Sequence, residues 1–225
     1  MPARSSTQTT RPARKLAARE QTRNARKTAY QTVVLNAAAD AFARQGVPRT
    51  KMEDLAEEAG ISLGTLYSVY KGKGEIVDAL HEARLREIHS ASVEAEMAQS
   101  DPLEALLAGS RAYLTYFMDR PDYLRIFLDE GTSWGVRKSM DRESRRAAVW
   151  EDGVARFAMI FDRGIEANIF ADGRPDRLAR VMLAMQQVLL ADWFEDGMTA
   201  SPEGLMNDVE VLLRRTFCTP AAQPN

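Results

Sequence analysis

Apolar side chains recur every three or four positions along most of this chain, and no segment alternates apolar with polar residues between turn signals. That spacing predicts an all-α fold. With only 13 Gly and 9 Pro among 225 residues, long helices can run uninterrupted, and a 45% hydrophobic content suffices to bury a core. No run of about 18 apolar residues occurs, so neither a membrane span nor a membrane partner is expected. Cys218 is the single cysteine, which rules out a disulfide within the chain and suits a reducing cytoplasm.

Capping signals divide the helical pattern. A first helix carrying Val34, Leu35, Ala38 and Phe42 on one face ends at Gly46, where a left-handed cap is expected, with Pro48 beyond it. Thr50 opens a short second helix, Glu53 completing a capping box and Met52, Leu55, Ala56 and Ala59 facing inward. Gly60 breaks it, and Ser62 caps a third helix that turns Leu66, Val69 and Tyr70 to the core. A fourth helix follows the break at Lys71–Gly74 and runs to about Met97. Asp101-Pro102-Leu103-Glu104 starts a fifth, and another follows Pro121. After a break at Gly131–Gly135, a long helix is predicted from about Lys138 to Ile165, then one from Asp176 to Phe194 and a last one after Ser201-Pro202.

Two short helices joined by Ala59-Gly60-Ile61-Ser62 have the composition of a helix-turn-helix. Gly60 permits the sharp turn, Ile61 and Leu66 plug the crossing against Leu55 and Phe42, and the second helix keeps a free face for a major groove. That face would carry Leu63, Gly64, Thr65, Tyr67 and Ser68. Gly64 allows close approach to the DNA backbone, Thr65 and Ser68 are short polar groups suited to base edges, and the Tyr67 hydroxyl suits a phosphate.

The charge distribution agrees with this. Residues 1–80 hold 13 Lys/Arg and 8 Asp/Glu, whereas the other 145 residues hold 17 and 24, so a basic front end sits on an acidic body. Residues 1–27 alone carry eight basic residues and one acid, Glu20, and read as a flexible arm, with a helical end as the alternative. The expected organisation is this arm, a helix-turn-helix domain over 28–75, a regulatory and dimerisation domain over 76–218, and a disordered tail over 219–225.

The stretch Leu55-Ala56-Glu57-Glu58-Ala59-Gly60-Ile61-Ser62-Leu63-Gly64-Thr65-Leu66-Tyr67-Ser68-Val69-Tyr70-Lys71-Gly72-Lys73 resembles the TetR family of bacterial regulators, and the likeness spans about Val34–Leu80. The resemblance implies a homodimer on a palindromic double-stranded operator, with phosphate contacts from Thr50, Tyr67 and Lys73 and groove contacts from Leu63, Gly64, Thr65 and Ser68. Lys51, Lys71, Lys73 and the arm would supply much of the electrostatic affinity. Leu63 stands where the family often has Lys or Arg, and Gly74 where it is usually acidic. The mechanism it implies is a repressor released by a small, mostly hydrophobic effector, with an activator or a ligand-independent regulator as the alternative.

Beyond residue 100 the sequence is rich in aromatic residues. Tyr113, Phe117, Phe127, Trp150 and Phe157 are candidates to line an effector pocket, and Asp129 or Glu130 could attract a cation. The segment 178–194 is apolar on more than one face, which predicts a four-helix dimer interface using Met182, Met185, Leu189 and Trp193 with Val209 and Leu213 of the last helix. His81 and His89 lie eight residues apart on one helix, roughly 12 Å of rise, too far to share a metal. There is no Gly-rich phosphate loop after a strand, so neither a cofactor nor an enzymatic activity is expected.

Overall fold

A computed structural model describes residues 11–129 and 145–222, with side chains over 19–129 and 147–222. Among these residues there are nine α-helices and no strand: α1 (Arg11–Gln45), α2 (Met52–Glu58), α3 (Leu63–Val69), α4 (Lys73–Met97), α5 (Pro102–Met118), α6 (Pro121–Asp129), α7 (Arg145–Glu166), α8 (Pro175–Glu195) and α9 (Pro202–Phe217). The all-α expectation is met. The predicted break at 131–135 and the first residues of the helix predicted from 138 lie outside the described residues.

Most helix ends follow from local chemistry. Gly46 terminates α1 with φ +79°, a left-handed conformation that side chains with a Cβ rarely adopt, and its N–H donates to the Phe42 carbonyl at 2.8 Å. The carboxylate of Asp101 accepts from the N–H groups of Leu103 and Glu104 at 2.8 and 3.0 Å, closing the first turn of α5. Ser201 does the same for α9 through Gly204. One cap differs from expectation. The N-cap of α2 is Lys51, whose N–H donates to Asp54 Oδ2 at 2.9 Å, so the capping pair is Lys51 and Asp54 rather than Thr50 and Glu53.

Two apolar clusters form. The first joins Val34, Ala38 and Phe42 of α1 to Leu55 of α2, Leu66 of α3, and Ile76 and Leu80 of α4; Ile126 of α6 completes it. The second begins at Leu85 and Ile88, further along the same α4, and takes in α5 to α9. A fully buried Leu contributes about 1.5–3 kcal/mol by leaving water, so Leu66 alone fixes much of the seating of α3. The helix α4 thus belongs to both clusters.

Three expectations are corrected here. The arm over 1–27 is helical from Arg11 onward, as a continuation of α1, with Arg19, Arg23, Arg26 and Lys27 exposed. The tail over 219–225 is pinned in its first residues: Thr219 donates through its N–H to the Ile169 carbonyl and through its hydroxyl to the Asn168 carbonyl, and Pro220–Ala222 form a 3-10 turn. Cys218, just before the tail, is buried beside Phe170. Third, Met182, Trp193, Val209 and Leu213 face the chain's own core rather than outward, because α8 must cover α7 and α9 must cover α5. Met185 and Leu189 are half-buried. The apolar residues left outside on these two helices are Val181, Val188 and Val211.

Candidate nucleic-acid interface and interior cavity

The turn between α2 and α3 is set by Gly60, at φ +64° with open space around its missing side chain, so the backbone conformation alone selects glycine. Ser62 then caps α3, its Oγ accepting from the Thr65 N–H at 3.1 Å and lying 2.8 Å from the Thr65 hydroxyl. On the inner face Leu66 is fully buried and Tyr70 nearly so; on the outer face Gly64 and Ser68 are exposed and Tyr67 is 49% exposed. Leu63 and Thr65 lie between, half-buried. A Cβ built on Gly64 would meet only Ser62 Oγ, at 3.9 Å, so nothing inside the protein requires glycine there. The Ser68 hydroxyl donates to the Thr65 carbonyl at 2.6 Å and retains its lone pairs for an outside donor.

Two of the expected phosphate-binding side chains are engaged elsewhere. Thr50 is 1% exposed; its hydroxyl donates to the Gly46 carbonyl at 2.9 Å and lies 3.3 Å from Gln45 Nε2. It ties the end of α1 to the start of α2, and its hydroxyl is not presented to a ligand. The Lys73 ammonium donates to three carbonyls, Val47 at 2.6 Å, Pro48 at 3.1 Å and Thr50 at 2.8 Å, and so clamps that same loop to the start of α4. Three donors meeting three acceptors leave this cation without a spare N–H. Lys51 and Lys71 are exposed. Near Gly74, the acidic partner sits one residue later: Glu75 accepts from the Lys71 N–H at 2.7 Å.

The second cluster borders a small, partly open cavity of about 40 Å³ among α4, α5, α7 and α8, whose apolar lining is Leu85, Ile88, Val149, Trp150, Phe157 and Leu183, with His89, Ser92 and Arg156 among its polar residues. Of the five predicted lining residues it contains Tyr113, Trp150 and Phe157. Phe117 and Phe127 do not reach it. They pack with Tyr123 in an aromatic group, Phe117 and Tyr123 stacked at 5.7 Å and Phe127 4.9 Å from Phe117, because α6 turns these rings against α5. Asp129 is exposed, while Glu130 lies outside the described residues.

Glu96, absent from the predicted site, also lines the cavity. It is 4% exposed and its Oε2 accepts from Arg156 Nε at 2.5 Å. Burial raises its pKa above the usual carboxylate value, with Arg156 opposing. Its place in the stripe Leu85, Ile88, Ser92, Glu96 was the available signal: an acid at a core-facing helical position. The Tyr113 hydroxyl is buried as well, which pushes its pKa upward. His81 is fully buried, with Nδ1 3.0 Å from the Tyr123 hydroxyl, and no cluster of metal-binding side chains occurs among the described residues.

A short helix held by its inner face, capped at its start and offering small and polar groups outward, seated on a larger helical body, defines the class of helix-turn-helix regulators. Residues 34–80 match the model of the tetR family of bacterial regulatory proteins. The chain is 38% identical over 72 residues to the HTH-type transcriptional regulator TtgR of Pseudomonas putida, covering 31% of this chain and 34% of that one. It therefore spans about a third of the length of the first curated relatives it matches. It is 27% identical over 147 residues to the HTH-type transcriptional repressor KstR2 of Mycobacterium tuberculosis, covering 64% of this chain and 68% of the relative. Its fold matches the transcriptional regulator FadR of Bacillus subtilis, solved in complex with stearoyl-CoA, with a TM-score of 0.70 at 18% identity over 81% of this chain and 96% of that one.

Proposed function

We propose that this chain is a cytoplasmic transcriptional repressor that binds a palindromic DNA operator as a homodimer and is released by a small, mostly hydrophobic effector. The observation that carries the reading is the two-sidedness of α3, with Leu66 and Tyr70 buried while Gly64, Tyr67 and Ser68 face outward. Tyr67 and Lys51 are assigned to phosphates, and Leu63, Gly64, Thr65 and Ser68 to the groove. Thr50 and Lys73 hold the loop that positions them. The DNA-binding unit ends near Leu80, where the first apolar cluster gives way to the second.

Dimerisation is assigned to the outer faces of α8 and α9, around Val181, Val188 and Val211, since a partner's helices would cover the apolar side chains this chain leaves in water. The regulator FadR carries an acyl-CoA and KstR2 is named a repressor, which supports effector control and repression here. Because α4 runs unbroken from the cavity to the first cluster, an effector that shifts it changes the separation of the two recognition helices, which must match half-sites about 34–36 Å apart.

Selection of bound sequences from random duplex DNA tests this. The expected product is an inverted repeat whose affinity falls steeply with salt. Recovery of no preferred sequence, with a flat salt dependence, would reject DNA recognition.

A further inference from the structure

Most of the cavity wall is apolar, with His89, Ser92, Glu96, Tyr113 and Arg156 set among the apolar residues, and one buried oxygen there, Glu96 Oε1, has no hydrogen-bond partner. Leaving such a group unpaired costs about 1–3 kcal/mol, more for a charged one, so its retention here points to something that pairs with it. The backbone is cut to fit the acid. A Cβ on Gly109 would lie 2.6 Å from Glu96 Oε1 and 3.0 Å from Phe157, so only glycine lets the carboxylate occupy this position.

The negative charge of Glu96 is already matched. Arg156 holds Oε2 at 2.5 Å, and the positive charge of Arg163 also acts on Glu96. A cationic head group would leave net positive charge in an apolar cavity, and an anion would face the unpaired Oε1 directly. An uncharged donor meets neither penalty. We propose that the effector is an apolar, ring-bearing molecule with an uncharged hydrogen-bond donor, such as a hydroxyl, which donates to Glu96 Oε1 while its body lies between Trp150 and Phe157. The assignment rests on the reading of the chain as an effector-controlled regulator. The resting cavity, about 40 Å³, is far below the roughly 150 Å³ that admits benzene, so the ligand must part the helices that line it.

Calorimetry on the full chain, without DNA, with four probes sharing one body tests the proposal: 4-propylphenol, propylbenzene, 4-propylbenzylammonium and 4-propylbenzoate. The phenol is expected to bind about tenfold more tightly than each of the others. Glu96→Gln should cut that preference severalfold, because the amide would turn its oxygen to Arg156 and the phenol oxygen would then accept from a neutral N–H₂ instead of the hydroxyl donating to a carboxylate. Tyr113→Phe, which leaves the acceptor in place, should keep it. Equal binding of phenol and propylbenzene, tightest binding of either charged probe, no heat from any probe at about millimolar concentration, or a preference left undiminished by Glu96→Gln would each overturn the proposal. A phenol that binds as expected but fails to release selected DNA would count against effector release and leave the ligand class standing.

Discussion

Replacing Lys73 with Met separates a structural role from a DNA-binding one. The stem is kept, and three N–H donors to the carbonyls of Val47, Pro48 and Thr50 are removed. Hydrogen bonds from a charged donor contribute about 1.5–3 kcal/mol each, but the three acceptors differ in how readily water replaces the donor. Pro48 is exposed and its carbonyl is rehydrated at little cost, Val47 is half-buried, and Thr50 is 1% exposed, so its carbonyl loses most. The sum comes to about 2–4 kcal/mol, which for a chain of this size lowers Tm by about 4–16 °C. Thermal unfolding followed by circular dichroism reads this directly. A parallel titration of the selected operator at several salt concentrations should show weaker binding with an unchanged slope, because a clamp to backbone carbonyls releases no counterion from DNA. An unshifted Tm together with a slope reduced by about one would refute the clamp and restore Lys73 as a phosphate ligand.

Gly64→Ala should raise stability by up to about 1 kcal/mol, since alanine favours the helix and its Cβ makes no more than an ordinary contact with Ser62 Oγ, yet weaken operator binding severalfold; urea unfolding and DNA titration must move in opposite directions. Val188→Glu puts a charge on a residue 59% exposed in the single chain, so sedimentation should show monomer with the helical content intact; an unchanged dimer would place the interface elsewhere. Burial raises the Tyr70 phenol from its usual 10 to about 12, so the unfolded chain loses that proton first. Stability owed to this group is fully present below pH 10 and is lost as pH rises from 10 to 12, and Tyr70→Phe should flatten that part of a urea-midpoint profile.

The helix-turn-helix was legible because its determinants are local: Gly60 supplies the turn, Ser62 the cap and Leu66 the inward anchor, each readable within a few residues. Local reading also went wrong where two chemistries compete for one residue. Thr50 suits an N-cap, but the loop from Gly46 draws its hydroxyl back to α1, and Asp54 caps through Lys51 instead. The three carbonyls on Lys73 come from residues more than twenty positions away, and no local pattern encodes them. The body was harder for the same reason. Periodicity tells that Met182 and Leu213 are inward on some surface, but whether that surface belongs to this chain or to a partner depends on how α8 and α9 pack. Phe117 and Phe127 are aromatic residues in the right region, and only tertiary packing decides that their rings fill space instead of bounding it.

Ile126 ends up in the N-terminal cluster although it comes from the sixth helix. Its residence there makes the two halves of the molecule poor modules. A fragment cut after Met97 would keep every residue of the helix-turn-helix and still lack the plug that seals it, leaving a greasy socket open to solvent. Excision or grafting of the reading head onto another body therefore has to carry a surrogate for this one side chain, and chimaeras that omit it should come out sticky and easily cleaved by protease.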